Sequence, residues 1–90
     1  MPNKKDVSLF CRVCGKMQEV PPWGKDGKCP SYEICSCCGT EFGYGDCKLS
    51  AIKESRTRWL NKGGEWVYQD EKLDNWSLDE QLKNIPPGYK

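Results

Sequence analysis

The sequence predicts a small α+β domain: a pair of metal-binding cysteine knuckles with short antiparallel strands, followed by one longer and one short helix. Three observations predict it. The chain has 90 residues, of which 37% are hydrophobic and seven are cysteine, so its core is too small to hold it and a metal or disulfides must help. Two C-x-x-C-G units are present, Cys11 to Gly15 and Cys35 to Gly39, with 20 residues between Cys14 and Cys35. Finally, the composition changes near residue 48: residues 1–47 hold all seven cysteines, and the later residues hold three of the four tryptophans and the helix-like patterns. One domain over residues 1–90 is expected, with a metal-binding part at 7–47, a helical packing part at 48–85 and a tail at 86–90.

Metal is favoured over disulfides. Met1 to Asp6 (MPNKKD) leads into the chain with no apolar region and no cleavage signal, and no apolar run reaches the length of a membrane helix. The expected compartment is the cytoplasm, where thiols stay reduced. An odd cysteine count also argues against a closed disulfide framework.

In chain order, Val7, Leu9, Cys11 and Val13 alternate with Ser8, Phe10 and Arg12, the period of a short strand entering a turn at Cys14-Gly15. Met17 to Val20 is the expected returning strand. Pro21 to Gly27 reads as a loop throughout. Tyr32 to Cys35 and Thr40 to Tyr44 read as a second hairpin around Cys38-Gly39. A helix is expected from Ser50, as its cap, to Lys62, ended by Gly63-Gly64. Leu49, Ile52, Trp59 and Leu60 form its apolar stripe. Arg56 sits inside that stripe, so it needs a carboxylate partner or an aromatic face. Trp66 to Tyr68 suggests an extended stretch. Ser77-Leu78-Asp79-Glu80 is a capping box opening a short helix that carries Leu82 and Ile85 and stops at Pro86-Pro87.

The cysteine spacing carries the chemistry. Two cysteines three apart place both sulfurs on one side of a turn, and the following glycine takes the conformation that closes it. Cys11, Cys14, Cys35 and Cys38 then supply four thiolates in a tetrahedron, the design of a zinc ribbon or of rubredoxin. One structural Zn2+ fits best, since it is redox-inert and accepts four sulfurs; iron is the alternative occupant. Cys37 can stand in for Cys35 or Cys38, but only the 35/38 pair has the spacing and the glycine. Cys29 and Cys47 read as small, partly buried residues, since with Cys37 they make only three ligands, too few for a second closed site. A thioredoxin-like C-x-x-C belongs at the start of a helix, whereas both motifs here are flanked by turn residues. With no histidine in the chain and no metalloenzyme motif around the cysteines, no general base is visible and an enzyme is not expected.

The formal charge is +1; four thiolates and one divalent ion change it by −2, to about −1. That disfavours nucleic acid as a partner, although a nucleic-acid-binding ribbon remains an alternative. The charge is polarised. Residues 48–62 carry Lys48, Lys53, Arg56, Arg58 and Lys62 against Glu54, while residues 65–80 carry six acids against Lys72. The plain reading is a solvated helix face; the sharper one is a surface for a charged protein partner, with Lys48, Arg58 and Lys62 as its basic side. Trp23 and Trp76, flanked by turn residues, are the candidate exposed anchors of that surface.

The run from Phe10 through Cys11-x-x-Cys14-Gly15, Pro21-Pro22-Trp23-Gly24-x-Asp26-Gly27, Pro30 to Cys35, Cys37-Cys38-Gly39 and Glu41 to Tyr44 resembles the bacterial cysteine-rich CPCC family. The likeness continues through Arg56, Trp59 and Gly63 and departs at Ser36, where the family has proline. The resemblance implies a zinc-ribbon-like domain in a bacterial cytosol and no particular activity. Small bacterial proteins of this sort include immunity proteins, so a toxin is among the expected protein partners.

Overall fold

A hydrogen bond at each flank of a cysteine turn closes it and then the chain leaves. In the computed structural model, which describes residues 7–24, 26–86, 88 and 89, the Cys11 N–H donates to Lys16 O at 2.9 Å and the Gln18 N–H to Leu9 O at 2.8 Å. The second turn repeats this pattern 24 residues later. The Cys35 N–H donates to Thr40 O and the Phe42 N–H to Glu33 O, both at 2.9 Å. Readings that fell on Met1 to Asp6, Lys25, Pro87 and Lys90 lie outside the described residues.

The predicted strands are therefore corrected. Among the described residues there is no strand or sheet, only two isolated antiparallel bridges, Phe10 to Met17 and Ile34 to Glu41. The physical reason lies in what flanks each bridge. Val7–Leu9 curls into a 3-10 turn before the first, and Pro21-Pro22 diverts the chain soon after it. Before the second bridge stands Tyr32 with φ at 61°, and after it Gly43 with φ at 102°. Neither backbone can be extended there, and a two-stranded pair cut to one bridge has no sheet to join. The architecture is two cysteine knuckles under two helices, not a stranded zinc-ribbon or rubredoxin-like pair. In the stretch Trp66 to Tyr68, the N–H groups of Val67 and Tyr68 donate to Cys37 O and Ser36 O at 3.0 and 2.9 Å, tying it to the second knuckle.

The longer helix, α1, spans Leu49–Asn61. Ser50 lies inside it; the N-cap is Lys48, in extended conformation and without a side-chain cap. Its end is as the glycines predict. The Gly63 N–H donates to Leu60 O and the Gly64 N–H to Trp59 O, each at 3.0 Å, with Gly63 at φ 95°: this is a Schellman motif, which only a left-handed residue can close. Ile52 and Trp59 are buried and Arg56 lies between them on the same face, while Leu49 and Leu60 are exposed. Burying Ile52 and Trp59 stabilises the helix by roughly 2 to 3 kcal/mol each. A 3-10 turn, Gln69–Glu71, precedes α2, Leu78–Leu82. Ser77 caps α2 by accepting from the Glu80 N–H, and Ile85 is buried just beyond it. The core is one cluster that joins Val13, Phe42, Ile52, Trp59 and Trp66 to Cys11, Cys14, Cys35 and Cys37.

Candidate metal centre

The two knuckles meet sulfur to sulfur. The Sγ atoms of Cys11, Cys14, Cys35 and Cys38 all lie within 4.8 Å of one another. Across the knuckles, Cys11 and Cys38 are 3.8 Å apart and Cys14 and Cys35 are 3.6 Å apart. A tetrahedral ion with metal–sulfur bonds of about 2.3 Å needs sulfurs about 3.8 Å apart. These four residues can therefore hold a metal ion. All four were marked by spacing alone.

Each turn is locked by its glycine. The Gly15 N–H donates to Cys11 O at 3.0 Å and the Gly39 N–H to Cys35 O at 2.9 Å, with φ at 86° and 80°. The Val13 N–H points at Cys11 Sγ, at 3.4 Å. Gln18 Nε2 donates to Cys35 Sγ at 3.6 Å, and the Cys38 thiol donates to Thr40 Oγ1 at 3.2 Å.

The sulfurs do not share one environment. Burial pushes the Cys11 and Cys14 thiols well above the usual thiol range. Cys35 goes the other way, pulled down by hydrogen bonds from the Cys11, Cys14 and Cys38 thiols, against its own burial. Cys35 is thus the sulfur whose neighbours favour the thiolate, the form that binds a metal. Cys37 is also pulled down, first by Cys14 and then by Gln81, with burial opposing.

Three side chains brace the knuckles and the loops that leave them. Arg56, on α1, donates from Nε to Val13 O at 2.7 Å and from Nη2 to Arg12 O at 2.9 Å, and it also meets Tyr89 O. Main-chain carbonyls were a partner class that the sequence reading did not name. Burial lowers the pKa of Arg56 while the neighbouring sulfurs of Cys11, Cys14 and Cys38 raise it. Gln81, on α2, donates from Nε2 to Cys14 O at 3.2 Å and Cys37 Sγ at 3.3 Å, and accepts from Trp76 Nε1 at 2.8 Å. The fully buried Asp46 accepts from Trp23 Nε1 at 2.7 Å and from the Gly43 N–H at 2.8 Å. Sequence reasoning missed Gln81 and Asp46; neither belongs to a motif, and only their long-range partners reveal them.

The remaining predicted residues separate. Cys37 is buried, but Cys29 and Cys47 are exposed rather than partly buried. Trp23 and Trp76 are half-buried. Arg12 packs over the Trp23 ring at 4.6 Å, and Trp76 meets Trp66 edge-on at 5.8 Å. Lys48, Arg58 and Lys62 are exposed, and Arg58 pairs with Glu54 at 3.2 Å. Arg58 and Lys62 also border a cavity of about 520 Å³ that reaches Cys38, the least buried of the four clustered cysteines. No helix among the described residues is long and apolar enough to cross a membrane. No family model, curated protein or solved structure matches the chain.

Proposed function

We propose that this is a non-enzymatic zinc protein in which one Zn2+ is structural and the folded surface acts by binding another protein in a bacterial cytoplasm. The observation that carries the reading is the set of four sulfurs, all within 4.8 Å of one another. Four thiolates fill a tetrahedral ion and leave no position for a substrate or an activated water. Such an ion staples a small domain rather than doing chemistry. The resemblance of residues 10–44 to the CPCC proteins supports the same reading, and a toxin neutralised by an immunity protein is the partner class it suggests.

Native mass spectrometry with metal analysis tests the site: one zinc per chain and a colourless protein are expected. The same four sulfurs also suit iron. A red protein with a reversible one-electron couple, from cells supplied with both metals, replaces this reading with that of a rubredoxin-like carrier. Affinity capture from native lysate tests the action, and recovery of no protein partner overturns it.

A further inference from the structure

We infer that the groove between the exit of the first knuckle and the entry of the second docks an extended, cationic segment of a partner protein. The groove lies between Gln18 to Val20 and Ser31 to Ile34, with Tyr68 at its side and the buried Phe42 at its base, and has a volume of about 650 Å³. This inference deepens the protein-binding reading above and rests on it.

Three features select the occupant. The first is apolar surface: Val20, Ile34 and Tyr68 are 54%, 49% and 45% exposed, so a partner with apolar side chains would cover them. The second is charge. Glu19, Glu33 and Glu71 line the groove against Lys16 alone. All three are exposed, and the ion pairs among the described residues, Glu54 with Arg58 and Glu80 with Lys83, involve none of them. Carboxylates without an ion-pair partner among the described residues, set beside apolar surface, complement lysine or arginine flanking apolar residues.

The third is the open backbone edge. The bridge between Ile34 and Glu41 is of the kind in which the flanking residues exchange the hydrogen bonds, Phe42 with Glu33 and Cys35 with Thr40. The N–H and C=O of Ile34 then point away from Glu41. Among the described residues neither has a hydrogen-bond partner. An extended segment laid along Ile34 satisfies both groups and builds the sheet that the chain leaves unbuilt. A helical segment offers no free backbone groups to that edge.

The test uses the full, metal-loaded chain and a short peptide of alternating lysine and valine, with a glutamate–valine peptide as control. The lysine peptide is expected to bind at least about tenfold more tightly than the control, and binding should weaken steeply with salt. The double variant Glu33→Lys with Glu71→Lys should lose about tenfold in affinity while keeping its metal and its melting temperature, since both side chains are exposed. Hydrogen exchange at the Ile34 amide should slow in the complex. Equal binding of both peptides, binding unchanged in the double variant, or an unprotected Ile34 amide overturns the inference. So does a dimer of this chain that the double variant abolishes while no peptide binds, which assigns the groove to a second copy. A captured partner that binds the double variant as tightly as the native chain removes the groove but leaves the protein-binding reading standing. No partner and no peptide binding removes both.

Discussion

The two knuckles are built alike and buried differently. Residues 9–18 and 33–42 share the same bridge, the same pair of flanking hydrogen bonds and the same glycine-closed turn. In the first, both cysteines are fully buried, and Arg56 from α1 and Gln81 from α2 donate to its carbonyls. In the second, Cys35 is fully buried but Cys38 borders an open cavity, and this knuckle's carbonyls accept from the main chain of Val67-Tyr68, with Gln81 of α2 reaching only Cys37 Sγ. The repeat teaches that the local turn is coded within about five residues, whereas its protection from water depends on what packs over it. Position 13 makes the point in miniature: fully buried Val13 in the first knuckle is matched by fully buried Cys37 in the second. Cys37 thus occupies a core position, which accounts for a fifth thiol beside a four-sulfur cage.

The comparison can be broken most severely by removing what joins the knuckles. Stripping the proposed zinc with a strong chelator should abolish the cooperative thermal transition followed by circular dichroism, because a structural zinc contributes about 10–16 kcal/mol, as much as a small domain's whole stability. Single substitutions then separate the halves. Cys11→Ser should weaken metal affinity about tenfold more than Cys38→Ser in competition with a chromophoric chelator, since water from the cavity can replace the Cys38 sulfur but cannot reach Cys11.

Next in size come the turn glycines. A Cβ at Gly15 would lie 2.2 Å from Gln81 O, a main-chain atom that cannot yield, whereas at Gly39 it would meet the Val67 side chain at 2.8 Å. Both turns need positive φ. Gly15→Ala is therefore expected to cost about 3 kcal/mol or more and Gly39→Ala about 1 to 2 kcal/mol, read from urea denaturation. Equal losses would show that the two turns are covered alike.

Arg56 sharpens the role of α1. Arg56→Lys keeps the charge but cannot reproduce the fork that reaches Val13 O and Arg12 O together, and should cost about 2 kcal/mol. Arg58→Lys, two residues on and exposed, should change stability by less than about 0.5 kcal/mol. The smallest effect tests the matched core position. Cys37→Val should keep one metal per chain by mass spectrometry and shift stability by about 1 kcal/mol or less, since Gln81 retains Cys14 O as an acceptor.

Legibility followed range. The four clustered cysteines, the capping by Ser77 and the glycine stop of α1 were readable because each is decided by residues within one or two turns of chain. The strands were misread because alternation from Val7 to Val13 also suits a chain that makes one bridge and turns away. Ser50 was misread as a cap because a serine near a helix start is only a preference, and the helix begins one residue before it at Leu49. Trp23 and Trp76 carried no mark of their partners, Asp46 and Gln81.

The sequence by itself determined the sulfur set, the two glycine-closed turns and the existence of both helices, since spacing and left-handed glycine act through local geometry. The tertiary structure alone decided which sulfur is left near solvent, what Arg56 holds and where the groove opens. Arg56 meets Val13 across 43 residues and Gln81 meets Cys14 across 67. Contacts that distant form only when the helices dock on the knuckles, and the free energy of docking is shared over many side chains, none of which carries the answer in its own neighbourhood.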